Sequence, residues 1–198
     1  MAGIAAITEK ERMQDISDEM IARSARGDVE AFEDIVRAYG DLVFNVGLRI
    51  VRNRQDAEEV AQEVFLTLHR KLGSFEGRSG LKTWIYRITV NTAINYAKRG
   101  AGMKNKTVEY DEDAAPIAQH GLMKEKVEME YTANVVDKLL GMLSPQQRAC
   151  IVLRSMEGLS YEDIARNMGI DINAVRSCLK RARDKMLAAR KEVMRDGL

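Results

Sequence analysis

Proline, cysteine and histidine are scarce in this sequence, with two of each in 198 residues. Cys150 and Cys178 are too few for a disulfide framework. With only His69 and His120 beside them, no pair has the C-x-x-C or H-x-x-x-H spacing of a metal site. No metal, cofactor or redox chemistry is therefore expected, and because both thiols fall among apolar positions, buried structural cysteines are the expectation. No apolar run approaches the ~18 residues of a membrane-spanning helix. The stretch Met1 to Arg12 lacks a basic-then-apolar signal pattern, so a cytoplasmic location is expected. The alternation of apolar and polar residues that marks strands is also missing. What remains, 45% hydrophobic and 31% charged residues with only 14 Gly, is the composition of a globular all-α protein rather than a disordered one.

The net charge of +1 conceals a segregation. Residues 22–108 hold fifteen Lys and Arg against ten Asp and Glu, and 131–198 hold twelve against eight, whereas 109–130 hold two against seven. Two basic bodies flank an acidic connector, and basic bodies raise the prospect of a nucleic-acid partner. The connector carries the loop signals Gly100, Gly102, Asn105, Asp111-Glu112-Asp113, Pro116 and Gly121. The expected organisation is two small helical domains, 18–99 and 131–196, joined by a flexible linker over 100–130.

In the first domain, Ser17 or Asp18 is placed to cap a short helix ending at Gly27. Asp28 is placed to cap a second with Phe32, Ile35, Val36 and Tyr39, and Asp41 to open a third. From Asp56 the apolar residues Ala57, Val60, Ala61, Val64, Phe65, Leu68 and Leu72 follow helical spacing and leave Glu58, Glu59, Gln62 and Glu63 outside the stripe. Asn53 stands where a cap for this helix belongs. His69, near its end, reads as a boundary residue.

Between Gly77 and Lys106 there is no acid, but there are seven bases: Arg78, Lys82, Arg87, Lys98, Arg99, Lys104 and Lys106. On a helix over 82–99, Tyr86, Val90, Ala93, Ile94 and Ala97 form an inward face. Trp84, Arg87, Asn91, Asn95 and Lys98 recur at steps of three or four on another face. An aromatic plane, amides and cations on one surface suit unstacked bases. The same pattern also suits a solvated face with Trp84 partly buried.

In the second domain, Ser144-Pro145-Gln146-Gln147 has the form of a capping box with proline at the first helical position, and Gly158 closes that helix. Ser160-Tyr161-Glu162-Asp163 opens the next, which Gly169 ends. Ile164, Met168, Ile170, Val175 and Cys178, with Ala165 at the crossing, have the spacing of a helix-turn-helix. The second helix carries Arg176, Lys180, Arg181, Arg183 and Lys185 against one acid, Asp184.

The order of these blocks resembles the extracytoplasmic-function, or group IV, bacterial sigma factors of the sigma-70 superfamily. The resemblance rests on Arg26-Gly27-Asp28 with Ala31-Phe32, on Asp56-Ala57-Glu58-Glu59-Val60-Ala61-Gln62-Glu63-Val64-Phe65, and on Ser74-Phe75 with Gly77. It continues through Thr83-Trp84-Ile85-Tyr86-Arg87-Ile88 with Asn91, then Leu143-Ser144-Pro145 and Gly158 to Ala165, and ends with Val175-Arg176-Ser177 and Arg181-Ala182-Arg183. It implies a non-enzymatic alternative sigma factor, with a region 2-like bundle that binds polymerase and melts the minus-ten element and a region 4-like domain for the minus-thirty-five element.

Carried across, Asp56, Glu58, Glu59, Gln62 and Glu63 would dock on the clamp helices of the largest subunit of core RNA polymerase. Phe75, Trp84, Arg87, Asn91, Asn95 and Lys98 would hold the non-template single strand. Ser160, Tyr161, Arg176, Ser177, Lys180, Arg181 and Arg183 would contact duplex promoter DNA, and the second domain would meet the flap of the second-largest subunit. An anti-sigma factor is a further partner the resemblance implies. The sequence departs from the family at Cys178, where relatives often carry arginine. The alternative, a free-standing helix-turn-helix regulator of duplex operators, accounts for the second domain but leaves the acid-free stretch around Trp84 unexplained.

Overall fold

The computed structural model describes residues 16–77, 79–103 and 135–195, all helices and turns with no strand among them. Arg78 and most of the connector, including Lys104, Lys106, Asp111 to Asp113, Pro116, His120 and Gly121, lie outside the described residues, as does Met1 to Arg12.

Each early helix begins at a side-chain cap. Ser17 accepts from the Met20 amide at the head of α1 (Asp18–Ala25), and Asp28 accepts from the Ala31 amide at the head of α2 (Val29–Val51). Helix α2 runs unbroken through Gly40 and Asp41, so Asp41 does not open a helix of its own. Leu42, Val43, Val46 and Ile50 continue the buried stripe of Ile35, Ala38 and Tyr39. Burying four such side chains outweighs the roughly 0.5–1 kcal/mol that a mid-helix glycine costs.

Arg52 ends α2 in the left-handed region at φ 62°. Asn53 follows at once as the cap of α3 (Arg54–Lys71), accepting from the Asp56 amide at 2.8 Å. Ala57, Val60, Val64, Leu68 and Leu72 are buried, and Ala61 and Phe65 edge that stripe. A 3-10 turn, Leu72–Ser74, leads to the loop before α4 (Leu81–Met103), and α2, α3 and α4 pack together.

In the second body, residues 135–141 form α5. Ser144 and Gln147 close the expected capping box of α6 (Pro145–Ile151). The chain then widens into a π turn, Val152–Met156, which ends on Glu157 and Gly158. Helices α7 (Tyr161–Met168) and α8 (Ile172–Arg195) meet through Gly169 at φ 64°, burying Ile164, Met168, Val175, Cys178, Leu179 and Ala182.

The two bodies pack against each other, an arrangement that nothing in the sequence pattern announces. Helix α4 lies along α7, and α2 and α4 both touch α6, so the buried side chains form one continuous cluster. Polar ties cross the seam. Arg52 grips Asp137 with two bonds of 3.0 and 2.5 Å. Glu157 sits between Arg49, at 3.2 Å, and the Tyr86 hydroxyl, which donates to it. The buried Arg148 guanidinium donates to Leu140 O at 2.9 Å, to Leu143 O at 3.0 Å and, across the seam, to Ile50 O. Among the described residues no helix is long and apolar enough to cross a membrane.

Two glycines test this account of the backbone. A Cβ at either Gly169 or Gly40 would meet no neighbour, but only Gly169 has a positive φ. Gly169→Ala is expected to destabilise the protein by about 1–2 kcal/mol through left-handed strain. Gly40→Ala, in the middle of α2, is expected to stabilise it by about 0.5–1 kcal/mol. Urea unfolding followed by circular dichroism reads both, and a destabilised Gly40→Ala would contradict an unbroken α2.

Candidate nucleic-acid interface

Helix α4 has no proline or glycine between Leu81 and Arg99, and Ile85, Tyr86, Val90, Ala93 and Ile94 seal its inner face. Ala97, expected on that face, is only half-buried. Across the loop after the 3-10 turn, the Phe75 ring comes to 5.0 Å from that of Trp84 at an interplanar angle of 36°. Gly77, at φ 67°, turns the chain there. Two aromatics separated in sequence thus make one platform, with Trp84 half-buried against the core and half open. The partial burial expected of Trp84 is present.

Arg87, Asn95 and Lys98 are exposed along the same helix. Asn91 is not open alongside them. Its amide donates to Arg87 O at 2.8 Å and, across the seam, to Asn167 O of α7 at 3.0 Å.

On α3, Glu58, Glu59, Gln62 and Glu63 face solvent, and Asp56 is half-buried in the first turn. The acids are held in place by neighbours: Arg54 reaches Glu58 at 3.1 Å, Arg99 reaches Glu63 at 3.6 Å, and the Tyr96 hydroxyl donates to Glu59 at 2.7 Å. The bond to Glu59, with desolvation behind it, pushes the Tyr96 phenol up to about 12. Tyr96 had no sequence signal as part of this surface. Leu66, 56% exposed, also belongs to it, one turn beyond Gln62. Its signal was an apolar residue lying off the buried stripe. His69 stands edge-on to Phe32 at the boundary of the core.

In the second body, Ser160 caps α7 by accepting from the Asp163 amide at 3.0 Å, and its hydroxyl donates to the Asp163 carboxylate at 2.7 Å. The Tyr161 ring lies 5.2 Å from the Arg154 guanidinium. Asp171 receives the Asn173 amide at 2.7 Å, which fixes the entry to α8. Arg176, Ser177, Lys180, Arg181 and Arg183 are all exposed on α8. Arg176 is steadied by the Asn173 side chain at 2.9 Å and Arg181 by Ser177 O at 3.2 Å. Among the described residues no carboxylate neutralises these cations, so the helix offers a row of positive charge suited to a phosphate backbone and a major groove.

Cys178 points inward, 3.6 Å from Gln146 O, and Cys150 donates to Met168 Sδ at 3.5 Å. Both thiols are buried, as their apolar surroundings in the sequence implied. The neighbouring Cys178 thiol, together with burial, raises the Cys150 thiol above its ordinary value. The departure at Cys178 therefore lies in the packing between helices and not on the exposed cationic row.

Known proteins resemble this chain along both bodies. The sigma-70 region 2 model matches residues 35–102, and the model for sigma-70, region 4, matches residues 133–186. The RNA polymerase sigma-H factor of Pseudomonas aeruginosa is 33% identical over 191 residues, covering 92% of this chain and 98% of that protein. The ECF RNA polymerase sigma-E factor of Escherichia coli K12 is 34% identical over 172 residues, covering 83% and 89%. Among solved structures, the sigma factor RpoE in complex with the anti-sigma factor NepR from Bartonella quintana aligns at a TM-score of 0.60 with 26% identity, covering 83% and 96%. CnrH in complex with the cytosolic domain of CnrY shares the fold, with a TM-score of 0.62 and 21% identity over 90% and 99% of the two chains. The chain belongs to the extracytoplasmic-function RNA polymerase sigma factors.

Proposed function

We propose that this sigma factor works through three surfaces on two domains, 18–99 and 131–196. The acidic face of α3, Asp56, Glu58, Glu59, Gln62 and Glu63, docks on the clamp helices of the largest subunit of core RNA polymerase, where charge complementarity speeds and orients encounter. The α4 face, with Phe75, Trp84, Arg87, Asn91, Asn95 and Lys98, captures the non-template strand of the minus-ten element. The α7–α8 unit, through Ser160, Tyr161, Arg176, Ser177, Lys180, Arg181 and Arg183, reads the minus-thirty-five duplex beside the flap of the second-largest subunit. The chain supplies specificity and no catalysis of its own, and it acts in the cytoplasm.

The observation that carries the reading is the Phe75–Trp84 platform at the head of a helix whose outer face is cationic. A duplex-only regulator has no use for an aromatic platform with cations beside it, whereas an unpaired base has. An anti-sigma factor is the expected regulatory partner, since RpoE of Bartonella quintana is bound by one.

Adding the protein to core polymerase with a library of promoter DNA, and sequencing the transcripts, tests the whole reading. Transcripts from a shared promoter class are expected; operator binding without transcripts would favour the free-standing regulator instead.

The two DNA surfaces separate by mechanism. Arg176→Ala is expected to cost roughly 1–3 kcal/mol in affinity for the upstream duplex, and Lys180→Ala to lower the salt slope of binding by about 1. Trp84→Ala is expected to leave upstream contact intact while weakening capture of the open strand by about 1–3 kcal/mol, the worth of one stacked base. Permanganate reactivity of thymines near the start site reads this defect, and a pre-melted bubble should rescue it only in part. If circular dichroism shows that Trp84→Ala unfolds the first domain, the tryptophan serves the core and not the strand.

A further inference from the structure

Three sulfur atoms converge in the core of the second body, one from each of α6, α7 and α8. Cys150, Met168 and Cys178 supply them, with exposures of 0%, 8% and 8%. The Cys150 thiol donates to Met168 Sδ at 3.5 Å. Cys178 Sγ lies 3.6 Å from Gln146 O, the carbonyl one helical turn before Cys150, which sets the two thiols beside each other. Packing alone would be served as well by aliphatic side chains; what sulfur adds is a lone pair that soft cations prefer.

We propose that this triad is a binding site for a soft, closed-shell monovalent cation, with Cu(I) as the ion that fits it. Thiolate and thioether donors together favour Cu(I) over harder cations. Metal–sulfur bonds of about 2.3 Å in a trigonal plane put the sulfurs about 4 Å apart. The Cys150–Met168 contact therefore needs to open by only a few tenths of an ångström. Zn(II) is served less well, because structural zinc takes four ligands, and among the described residues no group of three His, Cys, Asp or Glu converges. Sequence spacing hides such a site, since its donors come from three helices and one of them is a methionine.

Binding exchanges two protons for one cation. Each thiol releases its proton to solvent as its sulfur bonds the metal, the thioether bonds through a lone pair, and no electron changes hands. The product carries one net negative charge. Arg181, three residues beyond Cys178 on α8, stands close enough to act on it electrostatically. Met168 and Cys178, the two members that are not fully covered, offer the way in. An ion held here ties α8, the helix with the cationic row, to both α6 and α7, and so stabilises the folded domain by linkage.

The test titrates the reduced full chain with Cu(I) under nitrogen against the chromophoric chelator bicinchoninate, with Zn(II) in parallel. X-ray absorption at the copper edge reads the ligand set, and thermal unfolding followed by circular dichroism reads stability with and without copper. The variants are Met168→Leu, which conserves core volume, and Cys150→Ala/Cys178→Ala, which removes both thiols.

One Cu(I) per chain, three sulfur neighbours at the metal and a raised unfolding midpoint are expected for the unmodified protein. Met168→Leu should leave two sulfurs and weaken binding at least tenfold, because even outer-shell partners are worth about 10–100-fold in metal affinity. The chain without both thiols should lose the site. Copper held through nitrogen or oxygen, an affinity and sulfur count unchanged in Met168→Leu, or tighter binding of Zn(II) than of Cu(I) would each overturn the proposal. Equal copper uptake by the chain without both thiols would overturn it as well, leaving binding at exposed side chains only. Ligand set and stoichiometry are read on the unmodified chain, so they decide the matter even if a variant fails to fold.

Discussion

The guanidinium of Arg148 is the point on which the two halves of the molecule depend. A helix leaves its last carbonyls without partners inside itself, and the closed arrangement brings two such ends together: that of α2, through Ile50, and that of α5, through Leu140. Leu143, in the turn that follows α5, adds a third. One planar donor answers all three, and the negative ends of two helix dipoles favour its charge. Burial, with Arg52 nearby, lowers its pKa to about 10, opposed by Asp137. At neutral pH it therefore stays charged. A buried cation without these carbonyls would be far more costly than the bonds are beneficial, so the backbone of both domains and the side chain stand or fall together.

The exposed faces of α3 and α8 are built on the opposite principle, with charge held at the surface. On α3 each glutamate is steadied by a neighbour of its own chain, Glu58 by Arg54, Glu59 by Tyr96 and Glu63 by Arg99. These are exposed pairs, worth little to stability. Their effect is to reduce the freedom of long side chains. Leu66 beside them supplies an apolar centre to a polar rim. The α8 cations show the complementary case, lined up with no carboxylate among the described residues to quench them.

Most of the local structure was legible because helix caps are local chemistry. Asn53, Ser144 with Gln147, Ser160 and Gly169 each sit within a few residues of the groups they satisfy, and each does what its position implied. Asp41 failed for an equally physical reason: a capping residue matters only where a helix ends, and the buried stripe of α2 did not end there. The π turn over Val152–Met156 leaves no short-range signature in the sequence. The seam was illegible for a further reason. Arg49, Arg52, Asp137, Arg148 and Glu157 look in sequence like solvated charges, and only the fold shows that partners from residues 49–52 meet partners from residues 137–157.

Asn91 shows how local and long-range constraints meet in one side chain. Its position on the cationic face of α4 follows from helical periodicity alone, and so does its bond back to Arg87 O. Its second bond belongs to the tertiary structure, and that bond is made to a backbone carbonyl, not a side chain. A backbone acceptor is present whatever residue stands at 167, so substitution there cannot remove it. The contact is governed instead by how closely α7 approaches α4, which is set by the charged ties around the seam and the apolar cluster beneath it. Geometry between domains, rather than the identity of the acceptor, thus decides whether the Asn91 amide makes this second bond.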